Sequence, residues 1–145
     1  MSFSLDISKF VNKCNINADL AVRRVVLDVG ASVVNKTPVG DPSFWKSPPP
    51  PGYTGGHARA NWQHSEGTLV SKEFDVIDKT GEVSKGRIAA TLPKKVAGKV
   101  HYISNSVPYI QRLEDGWSRQ APNGMVALTV REFQIFIRNA LRELP

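Results

Sequence analysis

Four consecutive prolines, Pro48 to Pro51, lie inside the stretch Gly40 to Gly56, which reads G-D-P-S-F-W-K-S-P-P-P-P-G-Y-T-G-G. Proline fixes φ and has no backbone N–H, so the stretch cannot continue a helix or sit within a paired strand. The proline run favours a stiff, extended polyproline segment instead. The core must therefore come from the residues before position 40 and after position 56. Loops of this length without regular structure are typically functional or disordered. Its three large aromatics, Phe44, Trp45 and Tyr53, either fold back onto the domain or dock on a neighbouring protein, and the residue pattern leaves both open.

Before the loop, residues 5–36 have helical spacing. Ser4 or Asp6 is placed to cap a first segment carrying Ile7, Phe10, Val11 and Cys14. Asn15-Ile16-Asn17 predicts a break, with Asn17 capping a second segment. There Val22, Val25, Val26, Val29 and Val33 recur on one stripe. So many valines weaken intrinsic helix propensity, so packing must hold this segment. Thr37-Pro38 stops it. After the loop, 57–65 and 68–78 predict two strands, with Glu66-Gly67 as a hairpin turn between them. Lys79-Thr80-Gly81 is a turn. Residues 83–92 predict a helix with Val83, Ile88, Ala89 and Leu92 inward, ended by Pro93. A third strand is predicted over 99–105. Pro108 fits the first position of a short helix with Tyr109, Ile110 and Leu113, ended by Gly116. The last helix runs from Ala127 or Thr129 to Leu144, and its predicted buried stripe is Val130, Phe133, Ile137, Ala140, Leu141 and Leu144. This order predicts one α+β domain over residues 1–145, a small antiparallel sheet of three to four strands packed against N-terminal and C-terminal helices.

At 145 residues the chain is long enough for a real core. No apolar run reaches the roughly 20 residues of a membrane helix, and the first residues do not read as a secretory signal, so no membrane association and no export are expected. Lys and Arg number 19 and Asp and Glu 13, a net charge of +6. The excess is spread out, in loose clusters at Lys94, Lys95 and Lys99 and at Arg23 with Arg24. A nucleic-acid domain usually carries a denser stripe, so weak attraction to DNA is expected and sequence-specific reading is not. Cys14 is the only cysteine, which rules out an internal disulfide or a thiolate metal cluster and predicts a small buried hydrophobe.

Catalytic patterns are weak. His57, His64 and His101 all fall in predicted strands, and the odd spacing of the first two puts them on opposite faces. Glu114 and Asp115 are adjacent on a helix and so diverge by about 100°, too far to converge on one reacting atom. They also sit at a helix C-terminus, where negative charge is disfavoured. They call for a basic partner, with Arg59, Arg112 or Arg119 as candidates within the chain or across a subunit boundary. No G-x-S-x-G or phosphate-loop pattern is present. The pattern predicts no enzyme, no cofactor and no metal site.

The densest segment is Tyr102 to Val126, Y-I-S-N-S-V-P-Y-I-Q-R-L-E-D-G-W-S-R-Q-A-P-N-G-M-V. Asn123-Gly124 signals a tight turn, stiffened by Pro122. Trp117, Arg119 and Met125 are of types enriched in protein interfaces. Trp117 is either a core plug or a partner-facing anchor. This string resembles the tail-component family of long-tailed phages, the lambdoid-type tail completion or head–tail joining proteins. Thr37 to Asp41 (T-P-V-G-D) followed by Gly55 to Gln63 (G-G-H-A-R-A-N-W-Q) is similar to that family's T-P-V-D-T-G-R-A-R-A-N-W. D-I-S-K-F-V and V-R-R-V-V-L-D-V fit as well, so the resemblance covers nearly the whole chain. It departs at about Pro42 to Thr54, where the prolines are inserted.

The resemblance implies a structural role in the virion, at the tail or neck, after synthesis in the host bacterial cytoplasm. Several copies, six by the resemblance, would form a ring that completes the tail, joins it to the head and leaves a channel for DNA. The implied partners are further copies of the chain, neck proteins, and the tail terminator or tail tube. Rings use two different faces of each subunit. The candidate interface residues are Phe44, Trp45, Tyr53, Arg59, Tyr109, Arg112, Glu114, Asp115, Trp117, Arg119 and Met125. The alternatives are a tail terminator ring and, on charge alone, a DNA-binding module.

Overall fold

A computed structural model describes residues 3–44 and 48–145, with the side chains of 3–8 and 44 excepted. The chain is α+β and predominantly helical. The first element, α1, is one helix over Phe3–Lys36. The expected break at Asn15-Ile16-Asn17 does not occur. Asparagine costs only a few tenths of a kcal/mol in a helix interior, and nothing there removes a backbone donor. Ser4 and Asp6 lie within the helix rather than at its cap. At 1.5 Å per residue its 34 residues span about 51 Å. The helix stops at Thr37-Pro38 as expected.

Single-turn 3-10 helices come next, at Pro42–Phe44 and Arg59–Asn61. The remaining elements are β1 (Trp62–Glu66), α2 (Glu82–Thr91), β2 (His101–Asn105), α3 (Ile110–Glu114) and α4 (Val126–Arg142). Among the described residues the sheet has two strands, not three or four. β1 and β2 pair antiparallel, Trp62 opposite Asn105 and Glu66 opposite His101.

The missing strand is residues 68–78, which return antiparallel to 57–63 without joining the ladder. Asn61 Nδ2 donates to the Phe74 carbonyl (3.0 Å) and its Oδ1 accepts from the Phe74 N–H (2.6 Å). Gln63 Nε2 donates to the Lys72 carbonyl (2.8 Å), and Ser104 Oγ to that of Val70 (3.4 Å). Ser104 is directly opposite Gln63, so these two side chains lie on one side of the sheet. The segment is thus a strap across a face of the sheet, held by side-chain amides in place of backbone pairing.

The helices cover the other face. Val33 and Val34 of α1, Trp62, Ile88 of α2, Ala121 and Met125 form the main core, with Ile103, Ile110 and Leu113 against it. Val26, Leu92 and Val96 form a second cluster. Gly30 lets α1 and α2 cross closely, since a Cβ there would meet Ile88 Cδ1 at 3.0 Å. In α2 only Ile88 and Leu92 of the expected set are buried, with Ser84, while Val83 and Ala89 are exposed. Asp19 Oδ1 accepts from the amides of Val96 and Ala97, both at 2.9 Å, and Arg23 donates to the Pro93 carbonyl. These bonds fasten the α2–β2 connection to α1.

α4 packs antiparallel along the C-terminal half of α1. Ser32 and Thr129 hydroxyls bond at 2.8 Å, Lys36 pairs with Glu132 at 2.9 Å, and Arg24 with Glu143 at 3.1 Å. The expected buried stripe is only partly covered. Ala140 is buried and Ile137 and Leu144 are half-buried, but Val130, Phe133 and Leu141 are exposed. Cys14 is exposed too, contrary to expectation, because α4 ends level with Arg24 and the first third of α1 projects beyond it.

Candidate assembly surface

The two motif segments, Thr37 to Asp41 and Gly55 to Gln63, meet at Thr37. Thr37 Oγ1 donates to the Val33 carbonyl (2.6 Å) and accepts from Trp62 Nε1 (2.6 Å). Arg59 donates from Nε (3.0 Å) and Nη2 (2.7 Å) to the Thr37 carbonyl, and from Nη1 to that of Lys79 (2.6 Å). The Thr37 carbonyl lies at the end of α1, where a cation also complements the helix dipole. Burial lowers the guanidinium pKa, with Asp78 opposing. Arg59, expected at an interface, is thus an internal clamp.

Glu114 is also used internally. Its Oε2 accepts from the N–H groups of Met125 (2.8 Å) and Val126 (2.9 Å), and its Oε1 from that of Ala127 (2.9 Å). Its positive partner is therefore the N-terminus of α4 rather than an arginine of this chain. Asp115 accepts from Gln111 Nε2 at 3.1 Å. Gly124 makes the approach possible. Its φ is +81°, and a Cβ there would meet the Glu114 carbonyl oxygen at 2.6 Å. Met125 is 0% exposed in the core, which corrects its placement among partner-facing residues.

What this clamp presents outward is Trp117, 72% exposed, with the Arg112 guanidinium 5.1 Å from the ring centroid. Arg119 and Asp115 are exposed beside it in sequence, and Tyr109 is exposed at the start of α3. Tyr53 is half-buried. Its hydroxyl fills the space beside Gly40, where a Cβ would overlap it. Burial raises the pKa of both tyrosines, and the Tyr53 phenol lies within electrostatic reach of Tyr109. The proline loop thus folds back toward α3 at Tyr53. Trp45 and the Phe44 side chain lie outside the described residues.

Two histidines that sequence spacing did not bring together do meet. His64 Nε2 and His101 Nδ1 are 2.9 Å apart, with the rings stacked at 5.2 Å. The outer nitrogens reach Thr91 Oγ1 (3.0 Å) and the Val96 carbonyl (2.7 Å). All four ring nitrogens are engaged in hydrogen bonds. Among the described residues no group of three or more His, Cys, Asp or Glu side chains is placed to hold a metal ion, and no helix is long and apolar enough to cross a membrane. Nor does any sequence signal show that the apolar stripes of α1 and α4 stay open. They flank a groove of about 440 Å³.

No protein-family model, curated protein or solved structure matches this chain.

Proposed function

We propose that this chain is a structural virion protein of a phage neck or tail, one that completes the tail and joins it to the head in a ring around the DNA channel. The observation that carries the reading is Trp117, exposed over Arg112 on a turn held rigid by the Glu114 clamp. A large aromatic and an arginine on a pre-formed support are the residue types that dominate binding hot spots. The resemblance of Tyr102–Val126 to tail-joining proteins supplies the setting. The DNA-binding alternative rests on dispersed charge alone, and Arg24 is already paired with Asp28 and Glu143.

Complementation tests the proposal. A phage with this gene inactivated should make filled heads and tails of normal length that fail to join, and wild-type protein should restore joining. Trp117→Ala protein should restore it at least tenfold less well. Overlong tail tubes would assign the chain to tail termination instead. Joined, infectious particles made without the protein would overturn the reading, and full rescue by Trp117→Ala would remove Trp117 from the contact.

A further inference from the structure

The groove has α1 as its floor, through Ala21, Val22, Val25 and Val29, with β2 and α4 as walls. The α4 wall leaves Phe133 40% and Leu141 57% exposed. The same face of α1 continues beyond the groove. Val11, Cys14 and Ala18 extend the row of Val22, Val25 and Val29 at steps of three and four, which keeps them on one side of the helix. All three are exposed, Val11 at 49%, and Phe10 beside them is 69% exposed. One helix face thus carries an uncovered apolar arm and, next to it, an uncovered apolar groove.

We infer that this face binds a second copy of the chain, the two α1 helices antiparallel about a two-fold axis near residue 20, each arm in the other's groove. The spacing carries this arrangement. Antiparallel pairing sets Val11 level with the partner's Val29, Cys14 with the partner's Val25 and Ala18 with the partner's Val22, the last two pairs placing small side chains against branched ones. The arm cannot fill its own groove, because both lie on one continuous helix.

Area decides between this and a one-way insertion. An arm of about 12 residues is about 18 Å long and about 10 Å wide with its side chains. Half its circumference in a groove removes on the order of 300 Å² from the arm and as much from the groove. One insertion then totals about 600 Å², the size of a packing contact, while the reciprocal pair totals about 1,200 Å², where stable interfaces begin. A two-fold contact closes on itself. It is therefore the contact of the free protein, and it does not rest on the proposed ring. Trp117 is near the opposite end of α1, because Gln120 bonds the Val39 backbone at 2.9 Å, and it stays uncovered in the dimer.

Sedimentation and disulfide trapping test the inference on the full chain. Wild-type protein at about 50 µM should sediment at twice the chain mass. Val11→Asp should sediment as a monomer with at least tenfold weaker association and a wild-type circular dichroism spectrum, and its melting temperature should fall only to that of wild type diluted below its dimer Kd, since Val11 is exposed in its own chain. Val25→Cys should form a covalent dimer through native Cys14 under mild oxidation. Cys14 and position 25 of one chain are about 16 Å apart along the helix, too far to bridge internally. Val25→Cys with Cys14→Ser should not crosslink. A monomeric wild type, an oligomer that survives Val11→Asp, or a Val25→Cys protein that stays uncrosslinked would each overturn the two-fold arrangement, whatever the outcome of complementation.

Discussion

Glu114 and Trp117 are three residues apart and have opposite jobs. Glu114 gathers three amides at the start of α4 and thereby fixes the turn, while Trp117 rides on that turn in solvent. Glu114→Ala should therefore cost about 1–2 kcal/mol, the upper range for losing a helix N-cap, read as a lower urea midpoint with an unchanged m-value. Trp117→Ala should stay within about 0.5 kcal/mol of wild type, as exposed substitutions do. A Trp117→Ala protein as unstable as Glu114→Ala would mean that the indole supports the fold. Charge reversal at Glu114 would disrupt the start of α4 from within, so it cannot report on a subunit contact.

The strap over residues 68–78 shows what was legible at the scale of elements and what was not. Its return from the Glu66-Gly67 turn was readable from alternating apolar residues and turn chemistry. Its loss of strand character was not, because the competitor is the side chain of Asn61, which mimics a backbone unit by donating to and accepting from Phe74. Asn61 is fully buried, and it also donates to the His57 carbonyl at 2.7 Å. Asn61→Ala would leave those backbone groups without their partner, at about 1–3 kcal/mol. Amide exchange at Phe74 should accelerate well beyond that at the β1–β2 ladder. Equal acceleration everywhere would mean that the strap and the sheet open together. The helix boundaries at Thr37-Pro38, Pro93 and Gly116 were legible because each is set by local backbone chemistry. The burial of α4 was not, because periodicity marks an apolar stripe without saying whether this chain or another covers it. In the candidate surface, exposure removes the core-plug reading of Trp117, and the sequence matches Glu114 to arginines because its actual partner, the start of α4, lies beyond a turn.

Across the whole molecule the bonding is uneven: the end of α1 near Thr37 is densely cross-linked, and the other end is open and apolar. Between them, His64 and His101 join β1, the end of α2 and the loop before β2. The Val96 carbonyl must receive the His101 Nε2 proton. His101 Nδ1 then accepts from His64 Nε2–H, and with both rings neutral His64 Nδ1 accepts the single Thr91 Oγ1 proton, which competes with the Ile88 carbonyl 3.0 Å away for it. Burial holds the His64 pKa below the ordinary 6.5, with His101 adding to the effect and Glu66 opposing it. The folded state thus resists a proton that the unfolded state accepts first. Stability from neutral His64 is full above about pH 6.5. It falls as the pH drops from there toward the folded-state pKa, by at most about 1.4 kcal/mol per pH unit for one proton, and then levels off. Asp19, held below 3.8 chiefly by the Ala97 and Val96 amides, titrates lower and leaves that window clear. Urea unfolding between pH 7.5 and 5 should show the decline in wild type. His64→Gln should show a flatter profile whatever its absolute stability, because only the slope reports the proton. An equal slope in both proteins would place the uptake at another group.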